Sequence, residues 1–95
     1  MVRIGGLIII RKAGEEILLL DQQKKTKRVV KVEKVFPNEG PAIISLDGYQ
    51  YEMHIGDSFG VDDGGVYLES VEGGRIALRL IIGDSTRILR SELLK

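Results

Sequence analysis

One histidine and no cysteine set the limits on the chemistry open to this 95-residue chain. Activating a nucleophile takes a base within hydrogen-bond reach, and a tetrahedral metal centre draws on several His or Cys ligands. His54 stands alone on the polar side of the alternating segment Tyr49 to Ile55 and reads as a solvent-facing side chain. Asp57, Asp62 and Asp63 are the nearest approach to a hard-cation cluster. A calcium loop, however, needs oxygen ligands at alternate positions closing on a bidentate Glu, and these aspartates sit among glycines as turn residues do. The glycine pairs stand between strand-like runs instead of opening a helix, so they cradle no phosphate. No catalytic residue, no metal and no cofactor are expected; this is not the sequence of an enzyme.

The cations carry more information. Net charge is zero, yet residues 24–34 sum to +5, residues 47–72 to −7 and residues 73–95 to +3. Lys24, Lys25, Lys27, Arg28 and Lys31 offer a phosphate-binding strip. Their plainer reading is a solvated loop followed by a lysine-guarded edge strand. No aromatic is interleaved among them, so base stacking at the strip itself lacks a platform. Tyr49 and Tyr51 are able to stack on bases, but their face continues into Met53 and Ile55, which favours core packing.

The elements that must position these groups follow a period of two, the signature of strands. Leu7 to Lys12 and Ile17 to Leu20 flank a turn at Ala13-Gly14-Glu15. Val29 to Phe36 alternates and then slips phase at Val35-Phe36, where a bulge or strand end is expected. Pro37 to Pro41 is a loop by composition. Asp47-Gly48 is a favoured type I′ pair between Ile43–Leu46 and Tyr49–Ile55, and Gly73-Gly74 joins Val66–Val71 to Ile76–Ile82. A last short strand spans Thr86 to Arg90, with Ser91 placed to cap a helical stub. The expectation is an all-β domain of seven or eight short antiparallel strands, as sheets or a small barrel.

Ninety-five residues make one domain with a modest core. The absence of cysteine fits a reducing, cytoplasmic setting. The apolar run 7–10 is too short for a signal peptide and is broken by Arg11-Lys12, and no stretch approaches the ~20 apolar residues of a membrane span.

Two short blocks at opposite ends carry a resemblance. Leu7-Ile8-Ile9-Ile10-Arg11-Lys12-Ala13-Gly14-Glu15-Glu16-Ile17 and, later, Gly73-Gly74-Arg75-Ile76-Ala77-Leu78-Arg79-Leu80 with Ile88-Leu89-Arg90-Ser91-Glu92-Leu93 resemble the two ends of the carbon storage regulator (CsrA) family. These are small dimeric bacterial RNA-binding proteins that control translation. The similar blocks cover about 7–21 and 71–94, and an inserted β region of about 22–70 separates them, with Ile43–Ile55 as an extra hairpin at its heart. The resemblance implies an intertwined homodimer in which the first strand of one subunit lies beside the last strand of the other. It implies recognition of GGA in single-stranded loops of messenger RNA. The contacts it implies fall at Ile9, Arg11 and Lys12 and at Thr86, Ile88, Leu89 and Arg90, with Gly14 and Glu15 structural. Ile81-Ile82-Gly83 departs from the family's pattern, and the C-terminal helix is reduced to a stub.

Residues 41–82 also look like the small β domains of bacterial secretion and pilus assembly proteins, through Ala42-Ile43-Ile44, Asp47-Gly48, Ile55-Gly56-Asp57 and Arg75-Ile76. That resemblance implies a protein-interaction module that binds no RNA. The favoured expectation is a cytoplasmic RNA-binding regulator, a homodimer with messenger RNA and a regulatory protein as partners.

Overall fold

The computed structural model describes residues 6–36, 40–61, 64–83 and 86–90, with the backbone alone at Arg90. Among them are nine strands and no helix: β1 (Leu7–Lys12), β2 (Glu16–Asp21), β3 (Thr26–Val35), β4 (Ala42–Leu46), β5 (Tyr49–Met53), β6 (Ser58–Val61), β7 (Gly64–Glu72), β8 (Arg75–Ile81) and β9 (Thr86–Arg90). They form two antiparallel sheets, ordered β1-β8-β7-β6 and β5-β4-β3-β2-β9. The chain is all-β, as its periodicity predicts, but neither sheet closes into a barrel. The two stack as a sandwich 21 Å through its thinnest dimension, the depth expected of two sheets about 10 Å apart with their outer side chains.

Alternation decides which face is inside. Ile76, Leu78 and Leu80 of β8 and Val66 and Leu68 of β7 meet Ile17 and Leu19 of β2, Val30 and Val32 of β3, and Ile44 of β4 in one continuous core. Strand β2 departs from alternation because it is apolar on both faces. Its Leu18 is paired between Val29 and Leu89, so the outer face of the five-stranded sheet carries an apolar strip as well.

Several expectations are corrected. The described residues hold nine strands, because Ser58–Val61, hidden among Gly, Asp and Ser, pairs with β7 and turns Phe59 and Val61 inward. The phase slip in β3 falls between Val32 and Lys34, earlier than Val35-Phe36, so Glu33 is the bulged residue. Strand β3 lies at the centre of its sheet, between β2 and β4, and its lysines therefore guard no edge. Within the 22–70 region, β3–β5 extend one sheet from β2, while β6 and β7 extend the other from β8. Along Tyr49–Ile55, Met53 and Tyr51 pack inward, Tyr51 stacking on Phe59 with centroids 4.6 Å apart. Tyr49 at the strand end remains 68% exposed, and Ile55 lies beyond the strand. The loop residues 37–39, Asp62, Asp63 and Asp84 and the helical stub from Ser91 lie outside the described residues.

The β4–β5 turn behaves as its sequence dictates. Asp47 and Gly48 both have positive φ, 51° and 89°, as a type I′ turn requires. The Asp47 carboxylate accepts hydrogen bonds from the Val29 N–H and the Arg28 guanidinium. Burial opposes its charge, but these two donors outweigh that and hold its pKa below the usual value. A group with a depressed folded pKa stabilises the fold above its unfolded pKa and loses that contribution as pH falls through the folded one. Asp47→Asn should therefore lower the thermal midpoint near pH 7. The gap from the parent protein should close as the pH drops below about 4. Melting curves over a pH series check this, and a gap unchanged at pH 3 would contradict it.

Candidate nucleic-acid interface

Strand β1 is an edge of the four-stranded sheet and β9 an edge of the five-stranded one. Strands β5 and β6, the opposite edges, are joined by the corner 54–57, where the Gly56 N–H and Asp57 carbonyl bond to Leu68 of β7. Strand β1 meets the other sheet at β3, and β9 is held by β2. The two sequence blocks that lie farthest apart in the chain thus each supply an edge strand, one to each sheet.

The turn after β1 ties the layers together. Gly14, at φ 92°, donates its N–H to the Val32 carbonyl, and Val32 donates back to the Glu15 carbonyl. Glu15 Oε1 accepts the Lys12 N–H at 2.9 Å and lies 3.8 Å from Arg11 Nε. Arg11 Nε also donates to the Ile10 carbonyl at 2.8 Å. These bonds fix the turn through Gly14 and Glu15.

The implied contact residues divide by face. Ile9 belongs to the core, and Arg11 is only 5% exposed, so neither side chain stands on the surface of β1. Lys12 does, beside the exposed Ile8 and Ile10. On β9, Thr86 pairs with Asp21 and Ile88 with Leu19, Ile88 packing against the core; Leu89 is half-buried opposite Leu18. Arg90 occupies the register position opposite Ile17. Sequence reasoning passed over Arg87, which is exposed between Thr86 and Ile88. Its alternation with those two residues was the available signal.

The basic strip reaches the same region from another direction. Asp21 pairs with Thr26 on one side and Thr86 on the other, which sets the 22–25 turn next to the start of β9. The Asp21 carboxylate accepts the N–H groups of Gln23 and Lys24 and so fixes that turn. Lys24, Lys25 and Lys27 are exposed there. Arg28 and Lys31 are differently engaged: Arg28 with Asp47, and Lys31 at 3.8 Å from Glu33, which also accepts the Ser45 hydroxyl.

Charge is unevenly divided among the strands. All fourteen Lys and Arg lie outside residues 42–72, a span holding seven of the fourteen acids. That span contributes β4 to β7, so the cations are confined to β1–β3, β8, β9 and the segments joined to them. Charge divided in this way attracts and orients a polyanion despite zero net charge.

No enzymatic constellation emerges among the described residues. His54 is exposed, with Nδ1 3.8 Å from Asp57 Oδ2, and Asp57 accepts the His54 N–H as a turn residue would. No group of three or more metal-ligating side chains occurs among them, and no helix is long and apolar enough to cross a membrane. Comparison with models of protein families, with curated proteins and with solved structures returns no match.

Proposed function

We propose that the chain binds single-stranded RNA through the edge strands β1 and β9, as a bacterial post-transcriptional regulator that recognises GGA-containing loops. One observation carries the reading. The two blocks that resemble the ends of the CsrA family each supply an edge strand, β1 and β9, and lie in the parts of the chain that hold all its lysines and arginines. Loop bases of RNA expose the edges that main-chain and side-chain groups read, and lysine and arginine supply the phosphate attraction. Lys12 and Arg90 are the principal contacts, Lys24, Lys25 and Lys27 extend the phosphate track, and Arg11 acts by holding the β1–β2 turn. In binding assays Arg90→Ala should weaken a GGA hairpin by about tenfold or more, with an unchanged circular dichroism spectrum and melting point. Unaltered affinity in a folded variant would contradict the assignment.

A second reading rests on the exposed Leu7, Ile8 and Ile10 of β1. An unpaired apolar edge accepts a strand from another chain, either a second copy, as in a homodimer, or a protein partner. Light scattering over a range of concentrations, with and without Ile10→Lys, separates this from a chain that works alone.

A further inference from the structure

The outer face of the four-stranded sheet carries an open hollow of about 370 Å3, lined by Ile10 of β1 and by Ser70, Glu72, Gly73, Arg75 and Ala77 of the β7–β8 hairpin. Its origin is a register shift between Leu68 and Ser70, which leaves Glu69 unopposed and, with it, two consecutive side chains of β7 on the outer face. The register then sets Ile10, Ala77 and Ser70 in one row across three strands and Lys12, Arg75 and Glu72 in the next. Small residues floor the hollow, Ile10 walls it at 60% exposure, and a row of two cations and one anion closes one end. Among the described residues, no hydrogen bond or ion pair engages the side chain of Glu72 or Arg75.

We infer that this hollow holds one unpaired guanine base of a single-stranded RNA, with Glu72 reading its Watson–Crick edge and Lys12 and Arg75 holding the flanking phosphates. The inference rests on the RNA-binding reading and deepens it, because Lys12 belongs to both. An apolar floor suits the face of a base, and the volume falls at the small end of ligand sites. A carboxylate is acceptor-only. Guanine alone among the four bases presents two adjacent donors, N1–H and N2–H2, on its pairing edge; adenine, cytosine and uracil each put an acceptor beside their donor, which a carboxylate repels. The anion selects the base, and the two cations beside it supply phosphate attraction without specificity.

The test uses the full chain labelled with 15N and titrated with guanosine 5′-monophosphate and, separately, adenosine 5′-monophosphate. The guanine nucleotide should shift the amides of Gly73, Arg75 and Ala77 and bind about tenfold tighter than its adenine counterpart. Glu72→Gln should abolish that preference with the spectrum otherwise intact. Equal response to both nucleotides, shifts confined to other residues, or a preference that survives Glu72→Gln would each overturn the site. So would shifts that follow protein concentration instead of nucleotide, since the face would then be covered by a second copy. Hairpin binding separates this inference from the reading beneath it. A GGA hairpin bound without any mononucleotide effect removes the hollow alone. A guanine-selective hollow in a chain that ignores the hairpin keeps the site and removes the regulator.

Discussion

Alanine at Leu78 is expected to lower the free energy of unfolding by about 3–4 kcal/mol. Leu78 is fully buried at the middle of β8, paired with Ile9 on one side and Leu68 on the other, facing the core that both sheets share. Removing its isobutyl group forfeits the transfer energy and leaves a void that paired strands on both sides keep from collapsing. Domains of this size are stable by about 5–15 kcal/mol, so this single change removes a large part of the margin. Urea denaturation measures it directly. Ile10→Ala is the matched control, because Ile10 is exposed on the neighbouring strand and its truncation should cost within about 0.5 kcal/mol. Equal costs at the two positions would contradict the assignment of inner and outer faces.

Alanine at Gly64 should destabilise by about 2–3 kcal/mol, through crowding and not through lost contacts. A Cβ placed there would lie 2.0 Å from the Ile81 carbonyl oxygen and 3.0 Å from its carbon. Both are backbone atoms of the adjacent strand, so no side-chain rotation relieves the clash. The start of β7 must move away from the end of β8, loosening the pairing of Gly65 with Ile81 and of Gly64 with Val61. Gly60→Ala provides the comparison, since a Cβ there comes no closer than 3.9 Å, to the Gly64 carbonyl oxygen. Thermal melts of the two variants should differ by several degrees, and identical melting points would contradict the close approach of β7 to β8.

These two positions show how far the sequence is legible. Strand Ile76–Ile81 alternates cleanly, so the burial of Leu78 follows from period two alone. The Asp47-Gly48 hairpin follows from the demand for positive φ at both turn residues. In Leu7-Ile8-Ile9-Ile10, by contrast, four consecutive apolar residues conceal the alternation, and only pairing with β8 shows that Ile9 is inside while Ile8 and Ile10 are outside. Arg11 misleads for the same reason. A cation in a basic, exposed-looking motif is buried by the parity it shares with Ile9, and Glu15 across the turn makes that tolerable. Strand β6 is hidden because its side chains alternate with Ser58 and Gly60, and Gly64 carries no sign in its surroundings that Ile81 passes so near. Most of the candidate interface is non-local. That β1 and β9 become edge strands depends on the order of the sheets, and the row of Lys12, Arg75 and Glu72 depends on the β7 bulge. Neither is written in a local pattern.

Whether β1 and β9 read RNA is decided by fluorescence anisotropy. A labelled RNA hairpin displaying GGA in its loop is compared with the same hairpin carrying a changed loop, at two salt concentrations. Binding is expected to require GGA and to weaken as salt rises, with a log–log slope of about −0.7 for each phosphate neutralised. Equal affinity for both loops, or no binding to either, would contradict it.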